Sequence, residues 1–242
     1  MKRVIGEVKA ICLGSIGTIV ETSELQRRAF NLAFKKYDLP WVWEEGIYKD
    51  MLVKAGGKKR IKSYADESGF SINPEETEKV YKLKNHYFTE LIRSTTLIPR
   101  DGIRSLLNHC FEYGVKVCWV TTANKEIVYL LKDALNSCID FGGFELITTI
   151  EEGVEPKPAP DIYLKVVSQI GIYRDLTFAI EDSESGFTAA NEAGIRCLIV
   201  PGQLKESQQY NGSETVLESA EDIHLERTVG GRINLGVEIE EH

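Results

Sequence analysis

The sequence predicts an α/β protein: a parallel-sheet, Rossmann-like core with an all-helical insertion after its first strand. Three observations carry this. Short apolar, β-branched runs alternate with helix-period segments from residue 97 onward. The stretch 23–96 contains helical spacing and no convincing strand. The 242 residues, 43% hydrophobic and 27% charged, have the composition of a folded globular chain with a sizeable core.

The elements follow in order. Residues 8–13 (VKAICL) form an apolar run that ends at Gly14-Ser15-Ile16-Gly17-Thr18, a strand entering a glycine-bearing turn. Strands are predicted again at 115–120, 144–150, 176–180 and 195–200, with helices over 103–113, 125–137, 160–171 and 185–193. In the insertion, Leu25, Ala29, Phe30, Ala33 and Phe34 recur at helical spacing. Asn73-Pro74-Glu75-Glu76 is a helix start, with a capping Asn and Pro at the first helical position; that helix is expected to reach Arg93. The core is thus assigned to 1–22 and 97–242 and the insertion to 23–96. Residues 215–217 are expected as a last short strand, and the segment from Glu226 as a tail.

With 29 Lys+Arg against 37 Asp+Glu, the formal net charge is −8, and the pI is near 5.2. That balance argues against nucleic acid or an anionic membrane as main partner. No apolar run approaches a membrane span, and the N-terminus lacks a signal-peptide apolar region. The expected location is therefore the cytoplasm, or an organelle stroma if a transit peptide has been removed. Five cysteines without a CxxC pair fit a reducing compartment, with Cys12, Cys118 and Cys197 read as core thiols. The four histidines are scattered, which gives a His-based metal site or triad little support. Asn211-Gly212-Ser213 matches a glycosylation acceptor that a cytosolic protein would not use.

In a parallel sheet the ligand sits at the carboxyl ends of the strands, so the residues after each strand are the ones to question. Thr121-Thr122-Ala123-Asn124 follows one strand, Glu181-Asp182-Ser183 with Gly186 follows another, and Lys157 lies in Lys157-Pro158-Ala159-Pro160-Asp161-Ile162-Tyr163. In this order and spacing the chain resembles the haloacid dehalogenase (HAD) superfamily, in the branch with a helical cap. The elements Glu21-Thr22-Ser23-Glu24-Leu25, Trp41-Val42-Trp43 and Gly56-Gly57-Lys58-Lys59-Arg60 resemble the CbbY-like, β-phosphoglucomutase-like group, which includes sugar-bisphosphate phosphatases. The resemblance implies phosphate or ligand contacts from Thr122, Ala123 and Lys157, and a cap loop carrying Gly57, Lys58 and Arg60 over the substrate. It also implies Mg²⁺ held by Asp182 with Glu181. The plain alternative for the Gly-Gly-Lys-Lys-Arg element is a helix connection with a solvated basic end.

One station departs from the family pattern, Asp-x-Asp-Gly-Thr. Gly17-Thr18 are intact, but the nucleophile and the general acid fall on Gly14 and Ile16. Glycine cannot form an aspartyl-phosphate or offer a carboxylate to a metal, and an isoleucine side chain moves no proton. Ser15, the nearest hydroxyl, faces the other way by strand alternation and has no His beside it. An acid expected at Ser23 and a histidine expected at Gln26 are missing as well.

The sequence thus predicts a phosphatase homologue without catalytic residues: a phosphate-ligand-binding, regulatory or interaction protein, with Mg²⁺ binding weak or absent. Its ligand would be a phosphorylated small molecule or inorganic phosphate, and any protein partner is unknown. The alternative is a HAD-family hydrolase with weak or unorthodox activity on a phosphorylated sugar. Two readings of Lys157 also stand open, an anion site with Thr122 or an ion pair with Glu181 or Asp182 in a vacant pocket.

Overall fold

The computed structural model describes residues 1–14, 16–52, 56–204, 210 and 215–239. In chain order the elements are β1 (Lys2–Glu7), β2 (Ala10–Leu13), α1 (Ile16–Ile19), α2 (Ser23–Lys36), α3 (Glu45–Met51), α4 (Gly57–Glu67), α5 (Pro74–Arg93), α6 (Ile103–Tyr113), β3 (Lys116–Trp119), α7 (Lys125–Leu135), β4 (Leu146–Ile147), α8 (Asp161–Ile170), β5 (Thr177–Glu181), α9 (Glu184–Glu192), β6 (Arg196–Ile199), β7 (Ile223–Arg227) and β8 (Ile233–Glu238).

Five strands form a parallel sheet in the order β4-β3-β2-β5-β6. Strand alternation sorts its side chains by size. Ile11, Leu13, Val117, Trp119, Phe178 and Ile180 enter the larger core cluster with α6 and α7. Ala10, Cys12, Cys118 and Ala179 meet Ile162, Tyr163 and Val166 of α8, Ala189 and Ala190 of α9, and Ala193 just after it. Small residues on that second face let two helices approach the strands closely. Cys12, Cys110 and Cys118 are buried, Cys138 and Cys197 half-buried, and all five are free thiols.

Between β2 and α6 every element among the described residues is a helix. The start predicted at Asn73 is a capping box: Asn73 accepts from the Glu76 backbone N–H, and Glu76 accepts from that of Asn73, each at 2.9 Å. These helices share an apolar cluster, with Phe30, Phe34, Trp41, Trp43 and Tyr48 in ring contact. Asn31 holds the Trp43 backbone from both sides, at 3.0 and 2.8 Å.

Three expectations need correction. The segment from Glu226 is not a tail: β7 and β8 form a hairpin, and β8 pairs with β1 in an antiparallel three-stranded sheet. Ile223 and Leu225, then Ile233, Leu235 and Val237, alternate with polar residues around Gly230-Gly231 and bury one face against the main core. The Gly-Gly-Lys-Lys-Arg element is not a loop either. Gly56, at φ +91°, precedes α4, so Gly57, Lys58 and Arg60 occupy its first turn. At 215–217 the predicted strand is a single parallel bridge, Val216 to Ile199.

Candidate active site at the carboxyl edge of the sheet

The strand ends fix the geometry. Leu13 lies level with Trp119 on one side and Ile180 on the other. The Gly14 N–H donates to the Ile180 carbonyl at 2.8 Å, and the Val120 N–H to that of Leu13 at 2.7 Å. The backbones of Gly14, Val120 and Glu181 therefore lie side by side at one edge.

Lys157 reaches this edge from the loop before α8. Its ammonium donates to the Val120 carbonyl at 2.7 Å and to Glu181 Oε1 at 2.5 Å. Tyr163, in the first turn of α8, donates its hydroxyl to the same Oε1, also at 2.5 Å. The Lys157 nitrogen stands 4.8 Å from the Tyr163 ring centroid. Glu181 is fully buried and Lys157 is 7% exposed. Burial first, and the Glu181 charge second, push the Tyr163 hydroxyl well above its usual pKa, so it stays a donor. A buried ion pair is tolerable where further hydrogen bonds complete both partners, and both have them here.

Gly14 matters sterically as well as chemically. A Cβ built on it would stand 2.1 Å from the Glu181 Cδ and 2.2 and 2.4 Å from the two carboxylate oxygens. A Cβ on Gly186 would meet the same carboxylate at 2.1 Å. The Glu181 carboxylate thus sits in a niche between two glycines, where any side chain at position 14 would begin. Of the two open readings of Lys157, this structure contains the ion pair with Glu181.

The other predicted residues fall as follows. Ile16 opens α1, half-buried against the apolar core. Asp182 is fully buried, with the Thr18 hydroxyl at 3.5 Å from its Oδ1. Ala123 already donates its backbone N–H to Thr121 Oγ1 at 3.1 Å. Thr122, half-buried, follows the β3 end; no hydrogen bond joins its hydroxyl to the described residues. Ser15, Asn211 and Ser213 lie outside the described residues. Lys58 forms an exposed ion pair with Glu78, and Arg60 Nε donates to the Met51 carbonyl at 3.0 Å. Gly57 packs under Tyr81 and Phe30 too closely for a Cβ, which would stand 2.5 Å from the Tyr81 ring.

Residues outside the predicted set complete the picture. Tyr163 closes the ion pair. Arg100 spreads its guanidinium over the carbonyls of Gly17, Val200 and Pro201 at 3.0, 2.8 and 2.7 Å, tying α1 to the segment after β6. The sequence position of Tyr163, six residues past Lys157, was a usable signal; that of Arg100 was not, because its partners are backbone atoms.

This arrangement and the comparisons define the class of protein. The chain belongs to the haloacid dehalogenase-like hydrolase family, which it matches over residues 17–200. That match begins just past Gly14 and Ile16. Among individual relatives it is similar to Protein CbbY of Cereibacter sphaeroides, 29% identical over 88% of this chain and 92% of that protein. It is also similar to the CBBY-like protein of Arabidopsis thaliana, 29% identical over 87% of this chain and 69% of that one. Among solved structures, a variant of CbbY from Rhodobacter sphaeroides in complex with xylulose-(1,5)bisphosphate superposes with a TM-score of 0.81 at 29% identity, covering 89% of this chain and 96% of that one. CbbY of the same source in complex with phosphate gives 0.80 at the same identity and coverage.

The family implies Mg²⁺, and the donors present do not fit it. Gly14 offers no carboxylate, Glu181 is committed to Lys157 and Tyr163, and no group of three or more His, Cys, Asp or Glu side chains suited to a metal occurs among the described residues. No described helix is long and apolar enough to cross a membrane.

Proposed function

We propose that this chain is a CbbY-type homologue that has given up phosphoryl transfer and serves as a binding or regulatory protein. The observation that carries this is the niche at Gly14, filled by the Glu181 carboxylate. The replacement does more than delete a nucleophile. It admits an internal anion that neutralises Lys157, so the pair needs no divalent cation to be stable. Carboxylates at positions 14 and 16 beside Glu181 and Asp182 would instead concentrate negative charge that only a metal could balance.

The ligand class that the family points to is a phosphorylated small molecule, such as the bisphosphate bound in the related CbbY complex. With Lys157 engaged, the core site is a weak place for a phosphate, and Mg²⁺ at Asp182 has little to hold it. Activity assays test this directly. The protein, freed of contaminating phosphatases, should release no phosphate from xylulose 1,5-bisphosphate or an aryl phosphate, with or without Mg²⁺. The double variant Gly14→Asp/Ile16→Asp should gain Mg²⁺-dependent release. A wild-type rate matching that of the double variant would refute the proposal.

A further inference from the structure

The chain crosses between the core and the helical insertion twice, through residues 20–22 and 94–102. The two crossings wall a cleft of about 430 Å³, together with Leu25, Val200, Glu218 and Ser219. That volume is in the range of small-molecule sites. The cleft shares no residue with the sheet edge that carries Gly14, Thr122, Lys157 and Asp182. Val20, Leu25, Leu97 and Val200 are buried and line it with apolar surface, to which Ile98, 69% exposed, adds.

Its walls are held in place. Glu21 accepts from the backbone N–H groups of Ser23 and Gln203 at 2.7 and 2.8 Å, and the Arg100 guanidinium is spent on three carbonyls. Gly102, at φ +79°, lies so close to the following segment that a Cβ would stand 2.1 Å from the Glu221 nitrogen. The Ser219 hydroxyl donates to the Asp101 carbonyl at 3.4 Å. The chain at Asp101 and the chain beside Glu218 are thus packed together. These two acids are exposed, and neither carboxylate has a hydrogen-bond or ion-pair partner among the described residues. With Glu21 and Arg100 counted, three acids and one cation line the cleft.

We propose that this cleft binds a small organic cation, an ammonium group on a compact apolar body, which touches both crossings. The apolar body covers the Val20, Leu97 and Ile98 surface, and that burial supplies the non-directional part of the affinity. The ammonium meets Asp101 and Glu218, which no internal cation neutralises. An anion finds no free donor in Arg100 and is repelled by the acids. Walls already fixed by Glu21, Arg100 and Ser219 cost little further ordering on binding. None of this rests on the reading of the core site.

A titration of the whole isotope-labelled protein with tryptamine, followed by amide NMR shifts, tests this. Amides in 20–25 and 95–101 should shift together and saturate, while those of Gly14, Thr122 and Lys157 stay unmoved. The neutral isostere tryptophol should bind about fivefold more weakly, the effect of one well-placed ion pair, and anionic indolepropionate more weakly still. Asp101→Asn/Glu218→Gln should weaken tryptamine by about fivefold or more and leave tryptophol unchanged. Both acids are unpaired, so the thermal midpoint should not move. Salt gives the same reading without a substitution: between ~0.01 M and ~1 M the screening length falls from ~30 to ~3 Å, which should weaken tryptamine and spare tryptophol. Equal binding of tryptamine and indolepropionate overturns the proposal. So does undiminished tryptamine binding in the double variant, or the absence of saturable shifts in the two crossings.

Discussion

Replacing Gly14 by aspartate puts the fitted niche to its hardest test. The new Cβ would begin 2.1 Å from the Glu181 Cδ, a distance no pair of carbons sustains, so Glu181 must leave. Leaving separates its carboxylate from Lys157 and Tyr163, both at 2.5 Å and all deeply buried. Breaking a buried ion pair costs about 3–5 kcal/mol. The new carboxylate takes over part of the Lys157 interaction, so a loss near the lower end, about 3 kcal/mol, is expected. For a chain of this length that lowers the midpoint by roughly 6–12 °C. Gly14→Ala offers no new charge and isolates the steric part, about 1–3 kcal/mol. Urea unfolding followed by circular dichroism, at pH 7 with chelator present, measures both. A double-mutant cycle sharpens the test: in a Glu181→Ala background, where the niche is empty, Gly14→Ala should cost under about 0.5 kcal/mol. Equal costs of Gly14→Ala in the two backgrounds would refute the fitted niche.

Three further outcomes are expected. Lys157→Met should lose about 3–5 kcal/mol because it strands Glu181, and adding Glu181→Gln should recover at least about 1 kcal/mol of that in the same unfolding assay. Tyr163→Phe should lose about 1.5–3 kcal/mol, the worth of a hydrogen bond to a charged group; a loss under about 0.5 kcal/mol would show that the hydroxyl is dispensable. Lys84 sets a pH signature. Its folded pKa, about 7, lies below its unfolded value, so between about pH 7 and pH 10 the unfolded chain binds more protons and stability rises with pH. The penalty is fully present below pH 7, where the folded protein must hold a buried ammonium. Lys84→Met should therefore be more stable than wild type at pH 6, with the difference shrinking toward pH 10. A constant difference across that range would show that Lys84 does not titrate as described.

The sequence by itself determined the parallel sheet, the helical stretch after β2 and the Gly14 and Ile16 that stand where the family pattern has two acids. These are local signals: apolar runs of strand length, the Asn73-Pro74 helix start, and the absence of an acid between Lys9 and Val20. The pattern around Ile223 and Ile233 was equally local, and the strands there were readable from alternation about Gly230-Gly231. Other features had no local signature. Whether Lys157 faces a ligand or a carboxylate depends on strand register, which sets Leu13 level with Ile180 and so brings Gly14 beside Glu181. Lys84 looks like any lysine on an amphipathic helix until α2 covers it with Phe30 and Gln26, residues 54 and 58 positions away. Both outcomes turn on how much water a charge keeps, and that is fixed by packing between distant segments, where burial can turn an ordinary cation into an internal ion pair or a neutral amine.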